Sequence, residues 1–521
     1  MQKHKILISQ NQISAILNAF DHVNFPLNSK ILRLSLYKLI SLITISRLPL
    51  FSKISEKFTN LVDGYYSENK YFHNPPVFQK NYKKLQNRQA LRNKIYDFVI
   101  VGSGPGAASA FFELPKNASI LIIEKGQIQN INPKYFQTLR HVKNDFANSG
   151  KEFIFSKKLP QFSQGSVLGG GSQVNSGLYH DMPKNMADEF KEILRISSKE
   201  YDHSQREIRS FLNITSQKCV EKDSIIAVGA KKLKFEFKKI ERWRHYLPDG
   251  SFNHFGIHEL LWNTNSLSKF PFVDLLTNCE VQLLENSQNF VKVKTRDNRE
   301  IYGRNIILSA GSIGTPYILA HSRIIKWDEI LFQWHPMIRL ICRTDSHKLG
   351  FLDVDPYQAW TPDKLFKFGS GVSTPAFLAI GLGKKLSPLE AKSFRSFYVS
   401  FVSTGVGGLI RNTKVPWYRF SQQDKLNIGD GINHLQKIVS LGGAVSHTNL
   451  NDARKNLSSV HIFGSMPYKS DLFLSGTNRL KFNQKIMVAD GSLLPYGPGV
   501  NPQGTIMQIS RLLTRKSLSL E

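Results

Sequence analysis

The spacing of apolar positions changes character near residue 94. Upstream, Leu32, Leu36, Leu39, Ile40 and Ile43 recur near a 3.6-residue period, which predicts a helix within an extension over residues 1–93. Arg33, Lys38 and Arg47 flank that stripe, so the helix suits packing on the main body, or a peripheral contact with a membrane or partner through residues 30–50. The same charges, with Pro49, make Leu32 to Phe51 a poor bilayer span. Residues 65–93, with Asn74-Pro75-Pro76, read as a linker. Downstream, Tyr96-Asp97-Phe98-Val99-Ile100-Val101 is an almost unbroken apolar run, the mark of a strand buried on both faces of a parallel sheet. An alanine-containing helical segment and a second apolar run, Ser119 to Ile123, complete a βαβ unit. Further on, Ser396 to Val402 alternates as a strand, with Phe397, Val399 and Phe401 on one face and Ser396, Tyr398 and Ser400 on the other.

Between the first strand and its helix lies Gly102-Ser103-Gly104-Pro105-Gly106-Ala107-Ala108. In this pattern Gly102 permits the tight turn, Gly104 lets the backbone approach a pyrophosphate, and the small Ala107 lets helix and strand pack closely. The helix N-terminus then offers free N–H groups and a positive dipole end to phosphates. Glu124, 22 residues after Gly102, ends the second strand where a carboxylate can accept hydrogen bonds from ribose hydroxyls. The unit predicts a dinucleotide site without separating FAD from NAD.

Composition narrows the class. A chain of 521 residues exceeds the usual single-core size, so two domains are expected, interleaved or sequential, and 41% hydrophobic residues exclude wholesale disorder. The net charge of +29 raises nucleic acid as a partner. Lysines and arginines are instead scattered in short pairs such as Lys83-Lys84 and Lys384-Lys385, with no nucleic-acid-binding signature, which favours a solvated surface and no nucleic acid. Cys219, Cys279 and Cys342 lack C-x-x-C spacing, so neither a disulfide framework nor a metal site is implied. The N-terminus lacks a secretory pattern, and a cytoplasmic protein, free or peripheral to a membrane, is expected.

Three further segments give the dinucleotide reading a family context: Leu168 to Gly177, with its Gly169-Gly170-Gly171-Ser172 loop; Ile307 to Pro316; and Val488-Ala489-Asp490-Gly491 running on to Asn501-Pro502-Gln503-Gly504-Thr505. In this order, with the glycine fingerprint, they resemble the glucose-methanol-choline (GMC) oxidoreductases, and the first and third look like the cholesterol-oxidase branch. The resemblance covers residues 94–521 and is dense only in these blocks. It implies FAD as cofactor, held by Gly102, Gly104, Gly106, Ala107, Glu124, Gly169, Gly170, Gly171, Ser172, Asn175, Val281, Asp490, Gly491, Asn501, Pro502 and Thr505. Val281 looks like the adenine position. Relatives that bind FAD covalently use a histidine just before the glycine loop; Gln164 to Leu168 offers none, so dissociable FAD is implied. This chain departs from the family where His321-Ser322-Arg323-Ile324-Ile325 replaces a glycine-containing turn.

The resemblance also singles out His461, 29 residues before Asp490, and Asn501 as the catalytic pair. Alcohol oxidation needs a base for the hydroxyl proton while hydride leaves for flavin N5, and histidine titrates in the right range. Asn501 can orient the hydroxyl without taking up the proton. The expected architecture is α/β with an α+β second domain. A Rossmann-type FAD-binding domain (94–177, 255–325, 479–521) interleaves with a sheet-and-helix substrate domain (178–254, 326–478). Trp360, Phe366, Phe397 and Phe401 are candidates either for the substrate pocket or for plain core. The expected substrate is a small-molecule alcohol, with no motif to identify the electron acceptor. A flavin-retaining lyase on the same fold and a basic non-enzymatic binding protein stand as alternatives.

Overall fold

The computed structural model describes residues 94–128, 142, 144–150, 152–216, 219–244, 257, 270–344, 354–373, 375–382, 386 and 388–520, so the helix and linker expected over 1–93 lie outside the described residues. Strand β1 (Ile95–Val101) buries Val99 and Ile100 completely, which is why its sequence is apolar on both faces. Helix α1 (Pro105–Phe111) follows across the glycine turn. β2 (Ile120–Ile123), wholly buried, pairs parallel to β1 with Val99 opposite Leu121. β3 (Val273–Leu276) extends the sheet beyond β2, and β4 (Glu300–Leu308) lies on the other side of β1; both are parallel. α2 (Gly311–His321) leaves the end of β4. It ends at Ser322-Arg323, where Arg323 itself takes the left-handed conformation (φ 60°) that the family's glycine would favour.

The chain then enters a second, nine-stranded sheet built around β5 (Met337–Arg343), β6 (Tyr357–Trp360), β7 (Lys367–Gly371) and β8 (Phe394–Ser400). The spatial order is β5, β8, β7, β6, all antiparallel, with Glu236–Lys239 outside β6. α3 (Gln422–Leu441) starts at a capping box in which Ser421 Oγ accepts from the Asp424 N–H and the Asp424 carboxylate accepts from the Ser421 N–H. The chain returns to the first sheet with β9 (Asn483–Val488), parallel to β4, and closes with α4 (Gln503–Leu518), which packs on α1. The result is a mixed α/β fold with two main sheets.

Two segments sit elsewhere than the sequence reading places them. Glu152–Phe153 and Gln161–Phe162, expected in the first domain, are strands of the second sheet. The helix Ser198–Leu212, expected in the second, packs on α4, with Gln508 Nε2 donating to the Tyr201 carbonyl (3.1 Å).

Strand alternation divides the faces of the second sheet. Phe366, Phe368, Phe397, Val399 and Phe401 belong to the core beneath α3, where the Phe366 ring lies 5.8 Å from that of His434. Phe366, Phe397 and Phe401 are therefore packed in the core on the face beneath α3. On the opposite face the register sets Arg339 against Tyr398, Tyr398 against Gly369, and Lys367 against Trp360. That face is polar because it meets the site.

Candidate active site

Three sequence blocks converge at the carboxyl end of β1. Gly102 turns the chain at φ 100°, and a Cβ there would fall 2.1 Å from the Ser309 carbonyl oxygen. A Cβ on Gly106 would fall 2.0 Å from the Ala489 carbonyl, so Gly106, rather than Ala107, permits the closest approach of α1 to the segment after β9. Ala107 is buried in the core cluster that includes Phe98 and Ile100. At Gly104 nothing lies within 4 Å of where a Cβ would sit. The triple-glycine loop comes up to this opening: a Cβ on Gly170 would lie 3.1 Å from the Gly104 Cα, and the Gly169 N–H donates to Ser103 Oγ (3.0 Å). Gly171 also borders open space.

Side chains around the opening are mostly tied to the protein. Ser172 Oγ donates to the Gly169 carbonyl (2.6 Å), and Asn175 Nδ2 donates to Gln503 Oε1 (2.7 Å) at the start of α4. Glu124 accepts from Ser103 Oγ (2.6 Å) and the Gly126 N–H (2.8 Å); burial pushes its pKa up. Asp490 accepts from the Gly311 N–H (2.9 Å), Thr315 Oγ1 (2.5 Å) and the Ser492 N–H (2.9 Å), so it pins α2 to the third block, and Gly491 follows with its carbonyl accepting from the Gly464 N–H (3.0 Å). Burial raises its pKa as well. Val281 is a buried core residue at the start of Val281–Asn286, close in sequence to Cys279, whose N–H donates to the Glu124 carbonyl (3.0 Å). Pro502 precedes α4, and Thr505 is fully buried in its first turn. Thr505 Oγ1, Gln503 Nε2 and both amide atoms of Gln173 are buried without a hydrogen-bond partner among the described residues. Such atoms are costly unless a bound molecule satisfies them.

The second cluster joins both sheets. His461 is held by its backbone: its N–H donates to Ser459 Oγ (3.0 Å), and its carbonyl accepts from the His335 N–H (3.1 Å). The two imidazoles meet through Nδ1, 3.3 Å apart, with planes nearly perpendicular. Burial, followed by the cations Lys367 and Arg339, holds the His461 pKa well below its ordinary value. His461 is therefore neutral at pH 7 and has a lone pair to offer.

Asn501 lies two residues before α4. Its Oδ1 accepts from Lys367 Nζ (2.9 Å) and Gln358 Nε2 (3.3 Å), and Gln358 Oε1 pairs with His180 Nε2 (2.9 Å). An ammonium can only donate, so the amide oxygen must face Lys367, and Nδ2 is left as the outward-facing donor. Lys367 is buried, which pushes its pKa down to about 7. Lys367, which donates to Asn501, is also one of the cations that hold the His461 pKa down.

His335, His180, Gln358 and Lys367 were not singled out from sequence. The polar positions of the alternating strand, Tyr398 above all, carried a signal: they mark the sheet face toward the site, where Gln358 Nε2 also donates to Tyr398 Oη (3.2 Å). The three cysteines are free, and no group able to hold a metal ion occurs among the described residues. No described helix is long and apolar enough to cross a membrane.

No family model matches the chain. It is similar in sequence to an uncharacterized GMC-type oxidoreductase of Sinorhizobium fredii, with 20% identity over 483 residues, spanning 81% of this chain and 94% of that protein. In fold it is similar to pyridoxine 4-oxidase from Mesorbium loti, with a TM-score of 0.61 and 14% identity over 81% of this chain and 99% of the other. A formate oxidase from Aspergillus oryzae gives the same TM-score and identity over 82% and 99%.

Proposed function

We propose that this chain, similar to GMC-type oxidoreductases over most of its length, is an FAD-dependent enzyme that oxidises a CH–OH group of a small-molecule alcohol. The glycine loops fit the cofactor: open space at Gly104 and Gly171 beside the unpartnered atoms of Gln173, Gln503 and Thr505 is what a buried dinucleotide would fill. To FAD we assign Gly102, Gly104, Gly106, Ala107, Gly169, Gly170 and Gly171 as the backbone it lies against, and Glu124, Ser172, Asn175, Val281, Asp490, Gly491, Asn501, Pro502 and Thr505 as its further binding residues. FAD, held without a covalent link, supplies the hydride acceptor when bound. The glycine-loop and Asp490 blocks favour the cholesterol-oxidase-like branch. The first sheet forms the flavin half, and the second sheet, including residues 152–162, the substrate half.

His461 takes the hydroxyl proton. For its Nε2 to be the free base, its Nδ1–H must donate to His335 Nδ1, which puts the remaining proton of His335 on Nε2. In this assignment His335 accepts the His461 Nδ1–H, while its own Nε2–H is a buried donor without a partner among the described residues. Asn501 donates from Nδ2 to the substrate oxygen, because Lys367 and Gln358 occupy its Oδ1. The open glycine-lined turn, with the buried unpartnered atoms of Gln173, Gln503 and Thr505, carries the reading.

Purified protein should be yellow, show a flavin spectrum, and bleach anaerobically with at least one member of an alcohol panel. Colourless protein that refuses reconstitution overturns the reading. Bound flavin that no alcohol bleaches favours the lyase.

A further inference from the structure

Lys367 is 2% exposed; its ammonium donates to Asn501 Oδ1 and lies 5.7 Å from the centre of the Tyr398 ring, which leaves donor capacity unused among the described residues. Arg339, on the same sheet face and separated from Lys367's strand by β8, donates to Ser458 Oγ (2.6 Å). Neither cation forms an ion pair with a carboxylate among the described residues. Asp355, the buried carboxylate just before β6, is spent on Ser224 Oγ (2.6 Å) and the Tyr357 N–H (2.9 Å). Glu236, at the sheet edge, is exposed and paired with Lys364. Lys238, exposed on the outer strand Glu236–Lys239, holds its ammonium 5.6 Å from the centre of the Trp360 ring.

A buried ammonium with no carboxylate beside it is destabilised, and that cost is offset when an anion arrives with the ligand. The ammonium is bonded to the same amide that holds the substrate oxygen, so an anion attached near the carbinol carbon reaches it. Building on the oxidoreductase reading, we propose that the substrate is a hydroxy acid, whose carboxylate is bound by Lys367 with Arg339 while Asn501 and His461 engage its hydroxyl. Lys367 then serves two ends, since one hydrogen orients Asn501 and the others read the carboxylate.

The test uses calorimetry and the absorbance spectrum of the purified full chain at about pH 6, where Lys367 is protonated, with propionate and its uncharged isostere propionamide as probes. Propionate should bind at least about tenfold more tightly, Lys367→Met should abolish the preference, and Lys367→Arg should retain it. Equal affinities, no binding of either probe, or a preference that survives in both Lys367→Met and Arg339→Met overturns the proposal. The wild-type comparison decides the matter even if Lys367→Met does not fold. Yellow protein that neutral alcohols bleach but that ignores propionate refutes the hydroxy acid alone. Colourless protein that still prefers propionate keeps the anion site and removes the redox reading.

Discussion

Replacing Gly104 and Gly106 separately by alanine distinguishes the cleft from the fold that builds it. At Gly106 the added methyl would lie 2.0 Å from the Ala489 carbonyl oxygen and 2.9 Å from the Asp490 Cα, so the backbone must move; overpacking of this kind costs about 1–3 kcal/mol or more. At Gly104 the methyl meets no protein atom within 4 Å, and the backbone there (φ −72°, ψ −176°) suits alanine. The protein without cofactor should thus be unchanged or stabilised by about 0.4–1 kcal/mol through the unfolded chain. If a pyrophosphate lies against Gly104, that methyl occupies its place, and FAD affinity should fall at least about tenfold, or about 1.4 kcal/mol. Thermal melts of both flavin-stripped variants and a fluorescence titration of FAD read the two effects. Unchanged FAD affinity in Gly104→Ala, or an apo-stability loss equal to that of Gly106→Ala, refutes the reasoning.

Two further predictions concern the imidazoles. His335→Phe keeps the packing against Phe463 but removes the acceptor assigned to the His461 Nδ1–H; flavin reduction should slow about 10- to 100-fold with flavin content retained, as stopped-flow absorbance would show. The acid limb of the kcat/KM profile should lie well below pH 6.5, because burial keeps His461 unprotonated until lower pH, and the profile should also decline above about pH 7 as Lys367 loses the proton it shares with Asn501. Lys367→Met removes one cation that lowers that pKa, so the acid limb should move toward higher pH; a shift the other way contradicts the electrostatic assignment.

The parallel unit β1–α1–β2 was legible because burial on both faces leaves continuous apolar runs, and the glycine blocks because each holds a backbone where side chains do not fit. His461 and Asn501 were singled out by the family resemblance of the segments that hold them. The residues that position them were not. His335 meets His461 across 126 positions beside a short antiparallel pairing, and Lys367 meets Asn501 across 134 through the packing of a strand on the loop before α4, and no local period reveals either. The strands Glu152–Phe153 and Gln161–Phe162 are two residues long, too short to show alternation. For Phe366, Phe397 and Phe401 the alternation identified a face but not its neighbour; α3 covers that face.

The reductive half-reaction of His461→Ala bears most directly on the central claim that this imidazole accepts the hydroxyl proton beside bound flavin. Mixed anaerobically with an alcohol that bleaches the wild type, the variant should retain its flavin and reduce it about 10²- to 10⁴-fold more slowly, a barrier increase of about 3–5 kcal/mol. Bleaching at the wild-type rate, or loss of flavin together with activity, would contradict it.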